Sequence, residues 1–193
     1  MKDITMNKCL LRAAAAASLA VAALTAQADT VVVNVTGAQS INLQGEAGNT
    51  VWLVNVGANA VLNAMNWQVS LNAFSPSSLS EMQVSFGNSA GTDLVTLAPG
   101  LADLVSGSGN YSGTLDLSAF GLAVGADGLL RIEFSEAYKD FAVGVAEGQW
   151  TSGTLSFDVS AVPEPATPAL ALLGLALVSA QVRRRRAKPH PAS

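Results

Sequence analysis

The sequence predicts an all-β domain, an antiparallel β-sandwich or jelly roll, held between two terminal segments of different composition. Three observations carry that expectation. Apolar and polar residues alternate with period two in several short central runs. Runs rich in Gly, Ser, Asn and Asp separate them. No central stretch combines a 3.6-residue apolar stripe with helix-forming residues. Side chains on a strand point alternately to opposite faces, so a strand with one buried face and one wet face writes this pattern.

The N-terminal segment reads as a secretory signal peptide over residues 1–28. Lys2, Lys8 and Arg12 supply a basic start, Ala13–Leu24 an apolar stretch, and Ala26-Gln27-Ala28 a small-residue cleavage site before Asp29. Strand candidates then follow in order. Val31–Thr36 and Thr50–Val56 come first. In "NWQVSLNAF" the residues Trp67, Val69, Leu71 and Ala73 share a face opposite Gln68, Ser70 and Asn72. "EMQVSF" sets Met82, Val84 and Phe86 against Gln83 and Ser85. Gly113–Leu117 is next, and "LLRIEF" places Leu130, Ile132 and Phe134 opposite Arg131 and Glu133, which read as a surface ion pair. Phe141–Ala146 is a further candidate, and "TLSFDVS" puts Leu155, Phe157 and Val159 on one face. Breakers such as "GEAGN", "GNSAGTD", "SGSGN" and "AEGQ" read as the turns between them.

The exported domain, 29–162, is long enough for one core and too short to argue for two. It carries twelve acidic residues against only Arg131 and Lys139, a formal charge of −10. Such a surface repels nucleic acid, which is excluded as a partner. The single cysteine, Cys9, lies in the signal segment, so the domain folds without a disulfide. The single histidine, His190, lies beyond the C-terminal arginines. A His-based triad, a Cys–His pair and a Cys/His zinc site are therefore unavailable in 29–162.

At the C-terminus, "VPEPATPALALLGLALVSAQVRRRR" passes from Pro-Glu-Pro through an uncharged apolar run into four arginines. The eighteen uncharged residues Pro165–Val182 would span roughly 27 Å as a helix, a short bilayer crossing. Arg183, Arg184, Arg185 and Arg186 stop translocation and stay on the cytoplasmic side, leaving 29–162 outside. The prolines flanking Glu164 hold the chain extended, as a protease cleft needs.

This tail resembles the PEP-CTERM sorting signal of Gram-negative bacteria. Pro163, Glu164 and Pro165 match its naming motif, Ala166–Val182 its helix and Arg183–Arg186 its basic cluster. The resemblance implies a sorting signal over 163–186, with 187–193 a cytoplasmic tail. It also implies export, transient anchoring in the inner membrane, and cleavage near Pro163–Pro165 by the membrane transpeptidase exosortase. The product would reside at the cell surface or in an exopolysaccharide matrix, as in a biofilm. Signal peptidase and exosortase are then the processing partners, the inner membrane a transient one and exopolysaccharide a further one.

The residues themselves favour a non-enzymatic surface or matrix protein over a hydrolase. A glycosidase needs two carboxylates facing across a cleft, and the densest acidic run, "DGLLRIEFSEAYKD", is explained by ordinary surface charge. No cofactor is expected. Asn88, Asp93 and Asp127 in Gly-rich turns are the candidates for a structural calcium, since hard oxygen ligands suit that ion. The alternative function is a carbohydrate-binding module, calcium-assisted in one form. Trp52 and Trp67 stay in phase with apolar neighbours and read as core. Trp150 in "AEGQWTSG" and Tyr111 in "SGSGNYSG" have turn-like surroundings, and are the candidate aromatic contacts to a glycan.

Overall fold

Nine strands form two antiparallel sheets in the computed structural model, which describes residues 28–160, 174–178 and 181. They are β1 (Ala28–Asn34), β2 (Gln39–Ser40), β3 (Thr50–Asn55), β4 (Val61–Ala73), β5 (Met82–Asn88), β6 (Leu94–Leu97), β7 (Gly107–Asp116), β8 (Leu129–Glu136) and β9 (Gly148–Ser160). Pairing is nested. β1 pairs with β9, β3 with β8, β4 with β7 and β5 with β6, so the chain is wrapped as one long hairpin. One sheet runs β1-β9-β4-β7, with β2 also on β9; the other runs β3-β8-β5-β6.

One face of each sheet is apolar, and the two faces share a single core. Met65, Val69, Leu71, Trp150, Leu155 and Phe157 come from the first sheet, and Met82, Val84, Phe86, Leu130, Ile132 and Phe134 from the second. Two edge-to-face ring pairs cross between the sheets. Phe86 meets Phe157 at 5.2 Å and 65°, and Phe134 meets Trp150 at 5.0 Å and 70°. Such pairs add to the area they bury because the ring edge is positive and the ring face negative. Residues 27–162 form one compact unit.

The alternation holds in β1, β3, β4, β5, β8 and β9, but several expectations are corrected. Trp150 is fully buried, with 0% exposure, and is not a surface aromatic. The "AEGQWTSG" stretch enters β9 rather than turning. Its Gly153 sits at φ 115°, where an added Cβ would lie 2.1 Å from the Gln68 carbonyl oxygen. This glycine marks a close approach of two strands. Similarly Gly107–Asn110 of "SGSGN" begin β7, where a Cβ at Gly109 would strike the Tyr111 side chain at 2.3 Å.

Phe141–Ala146 is a loop, not a strand. Its Phe141 amide donates to the Glu147 side chain at 3.0 Å rather than to a neighbouring strand. Glu133, expected on the wet face, is 1% exposed, because the turn of residues 43–49 folds over it. The Gly45 amide and the Asn49 side-chain amide donate to Glu133 Oε1 at 2.7 and 2.8 Å. Trp52 and Trp67 are half-buried and pack against the core.

The expected C-terminal helix, Ala166–Val182, falls mostly outside the described residues; 174–178 and 181 are helical and exposed. No helix among the described residues is long and apolar enough to cross a membrane.

Replacing the buried indole tests the central packing. Trp150→Ala should destabilise the fold by about 3–5 kcal/mol, the cost of a large cavity in a closed core. A denaturant titration should show that loss, whereas an exposed aromatic would move the midpoint little.

Candidate functional site

Three places in the described domain gather polar chemistry: the outer face of the first sheet, one end of the two sheets, and the loops at the other end. On the outer face, strand register aligns side chains from β9, β4 and β7 in rows. Thr154, Gln68 and Ser112 form one row, and Ser152, Ser70 and Asn110 the next. Ser156, Asn66 and Thr114 continue it on one side, and Gln149, Asn72 and Ser108 on the other. Every side chain in these four rows is an uncharged hydroxyl or amide. A register shift between Ser70 and Leu71 distorts the β4–β9 ladder here. The two middle rows line a concavity of about 480 Å³.

Hydroxyls on this face donate to amide carbonyls across β4 and β7. Ser70 Oγ donates to Asn110 Oδ1 at 2.6 Å, Ser108 Oγ to Asn72 Oδ1 at 3.0 Å and Thr114 Oγ1 to Asn66 Oδ1 at 2.7 Å. Each bond holds an amide in place while leaving its NH2 donors directed elsewhere. Sequence alternation marks Gln68, Ser70 and Asn72 as wet. Their alignment with β7 and β9 appears only in the folded sheet.

At the end where β9 begins, carboxylates are buried. Glu136 and Glu147 are 1% and 0% exposed. Lys139 Nζ reaches Glu147 Oε1 at 2.6 Å, and the same ammonium donates to the carbonyls of Ile41 and Val145. The amides of Asp140 and Phe141 also donate to Glu147. Burial by itself would raise the Glu147 pKa, but Lys139 and these amides outweigh it and hold the carboxyl below its ordinary range.

Glu136 has less help, since Ser40 and Lys139 lower its pKa only in part. Neither carboxylate oxygen has a hydrogen-bond partner among the described residues. Burial first, then the charges of Glu147 and Glu81, push its pKa up to about 8. A carboxyl held protonated beside one held ionised is the pairing of a general acid with a base. Here both are closed off from solvent.

Among the calcium candidates, the Asn88 side chain is engaged with Thr92, and its backbone amide donates to the Asp93 carbonyl at 3.2 Å. Ser89 Oγ donates to Asp127 Oδ2 at 2.6 Å, and this bond lowers the Asp127 pKa. The structure thus joins Ser89 to Asp127 across two loops and leaves Asp93 exposed. No group of three His, Cys, Asp or Glu able to hold a metal occurs among the described residues. Tyr111 is half-buried on the core side of β7, and its hydroxyl donates to Asp103 at 2.8 Å. Burial, that bond and the Asp103 charge raise the phenol to about 12. Its polar edge is therefore already engaged.

β9 ends at Ser160, paired with Ala28 of β1. Asp29, the expected first residue after signal cleavage, lies on β1 opposite Val159, while Ala26 falls outside the described residues. Residues 161–186, immediately after β9, match the model of the PEP-CTERM protein-sorting motif. The chain carries a PEP-CTERM protein-sorting motif. Pro163, Glu164, Pro165 and Arg183–Arg186 lie within the matched span but outside the described residues.

For a PEP-CTERM protein the motif implies export, transient anchoring through the C-terminal segment and processing by an exosortase. No curated protein matches the chain. Among solved structures it is similar to the infectious bursal disease virus VP2 subviral particle, with 12% identity and a TM-score of 0.36, over 72% of this chain and 34% of that one. It is similar to the Gx strain of the same virus at 13% and 0.35, over 70% and 32%. For tomato aspermy virus the values are 13% and 0.30, over 82% and 97%. The chain spans about a third of the length of the first two.

The Glu136 environment predicts a pH dependence of defined sign. Native Glu136 keeps its proton up to about pH 8, whereas an unfolded Glu loses it near 4.3. The native state therefore binds more protons across that interval, and stability falls as pH rises through it, levelling above 8. Glu136→Gln should remove much of this slope and leave the protein more stable than wild type at pH 9, by an amount on the order of a few kcal/mol. Thermal melts of both proteins between pH 5 and 9 check it, and parallel curves would contradict it.

Proposed function

We propose that this is a non-enzymatic surface or extracellular-matrix protein, associated with exopolysaccharide as in a biofilm, whose C-terminal segment is removed by an exosortase. The observation that carries this reading is the sorting motif at 161–186 following β9 with no intervening linker. Cleavage inside the motif would release a domain whose last strand is already paired on both sides, to β1 and to β4.

The domain reads as a β-sandwich of the jelly-roll kind. Eight strands besides the two-residue β2 pair first with last and inward from there, which wraps a long hairpin into two facing sheets. The two sheets suit a durable display scaffold, and jelly rolls serve many roles. Non-enzymatic action is supported by the burial of the acid–base-like pair Glu136 and Glu147. The reading needs no cofactor, since Asn88 and Asp127 are engaged as loop-tying residues. Signal peptidase would act before Asp29, and the mature product would reside outside the inner membrane.

Processing at both ends is the test. Intact-mass analysis of protein recovered from the cell surface should show a chain starting at Asp29 and ending within Pro163–Pro165. A surface species that still carries Arg183–Arg186 would overturn the processing scheme.

A further inference from the structure

We infer that the concave outer face of β9, β4 and β7 is a binding site for a neutral polysaccharide chain. It deepens the matrix reading and rests on it for placing the polymer outside the cell, while the site follows from the face itself. The concavity is lined by Gln68, Ser70, Asn110, Ser112, Ser152 and Thr154, together with Val69, Tyr111 and Gly153 between them, and none carries charge. The uncharged surface extends one row beyond it at each end. Four rows at two residues per row span about 20 Å along the strands, and three strands about 10 Å across them. That is an elongated footprint, matched to a chain rather than to a compact metabolite.

The donors and acceptors suit sugar hydroxyls. With the Asn110 carbonyl accepting from Ser70, the Asn110 NH2 is left with two free donors, and Asn66 and Asn72 are in the same state one row further out. The hydroxyl oxygens of Ser70, Ser112 and Thr154 retain lone pairs to accept from the ligand. The cross-strand bonds order these side chains before any ligand arrives, so less entropy is lost on binding.

Charge selects the neutral class. The domain's acidic excess repels an anionic polymer. Its two cations are also committed elsewhere: Arg131 to Glu133 at 2.8 Å, and Lys139 to Glu147 at 2.6 Å. A uronate or sulfate ester would thus meet repulsion with no counter-charge on this face. A neutral glycan meets only hydroxyls and amides, and extended contact along the rows would add up many weak hydrogen bonds. No aromatic platform is involved, in keeping with the burial of Trp150.

Affinity electrophoresis of the full chain in mild detergent tests the site, with dextran and hydroxyethyl cellulose as neutral probes and alginate as the anionic one. At least one neutral polymer should retard the protein, alginate should not, and EDTA should leave the retardation unchanged. Gln68→Ala with Asn110→Ala should weaken retardation at least about tenfold and leave the melting temperature unchanged. Thr96→Ala, on β6 of the other sheet, serves as the control and should bind as wild type does. Retardation by alginate alone, by neither neutral polymer, or equally in the double variant would overturn the proposal. So would sedimentation showing a dimer that the double variant dissolves, because the face would then be a contact between two copies. The processing scheme stands or falls on the mass of the mature chain, so failure here leaves it intact.

Discussion

Everything else in the domain depends on the contact between two apolar sheet faces, made by Phe86 against Phe157 and Phe134 against Trp150. With one cysteine in the whole chain, no disulfide can tie the strands together. Cohesion must therefore come from burial, and the largest closed side chains sit where the sheets meet. The nested pairing follows naturally from that requirement. Wrapping the chain as one hairpin gives each sheet strands from both halves of the sequence, so neither sheet can form its buried face alone.

Once both inner faces are committed to the core, function has only outer faces and loop ends to use. The first sheet keeps a neutral polar face, and the second has part of its outer surface covered by the 43–49 turn over Glu133. The end that carries Glu136 and Glu147 is a structural closure. Lys139 ties Glu147 to the carbonyls of Ile41 and Val145, while Glu136 stays neutral through burial. A low-dielectric interior tolerates one ionised carboxylate with a partner and forces the other to keep its proton. Both chain ends of the domain, Ala28 and Ser160, pair with each other at the opposite end of β9.

Two kinds of signal in the sequence misled for one physical reason. Glycine was expected to mark turns, yet Gly109 and Gly153 lie within strands where a neighbouring phenol or carbonyl leaves no room for a side chain. That misreading placed Trp150 and Tyr111 in exposed surroundings, when the first is core and the second faces the core with its hydroxyl bound. Likewise an acidic residue on an alternating strand was expected in water, but a distant turn closed over Glu133. A residue's own strand tells which side it faces, not what the rest of the chain lays upon that side.

By itself the sequence determined what local chemistry can write. The period-two alternation specifies strands, the lack of His and Cys in 29–162 restricts the available chemistry, and Pro163–Arg186 spells out an address read by another enzyme. These are properties of neighbouring residues, so no fold is needed to express them. Only the tertiary structure decided which strands became neighbours. Gln68, Ser112 and Thr154 are far apart along the chain and adjacent on one sheet, because β4 pairs with β7 on one edge and β9 on the other. Strand pairing joins residues through backbone hydrogen bonds that are nearly blind to sequence, and its choice is made by burial of the whole apolar face. The neutral face and the closed carboxylates are consequences of that choice.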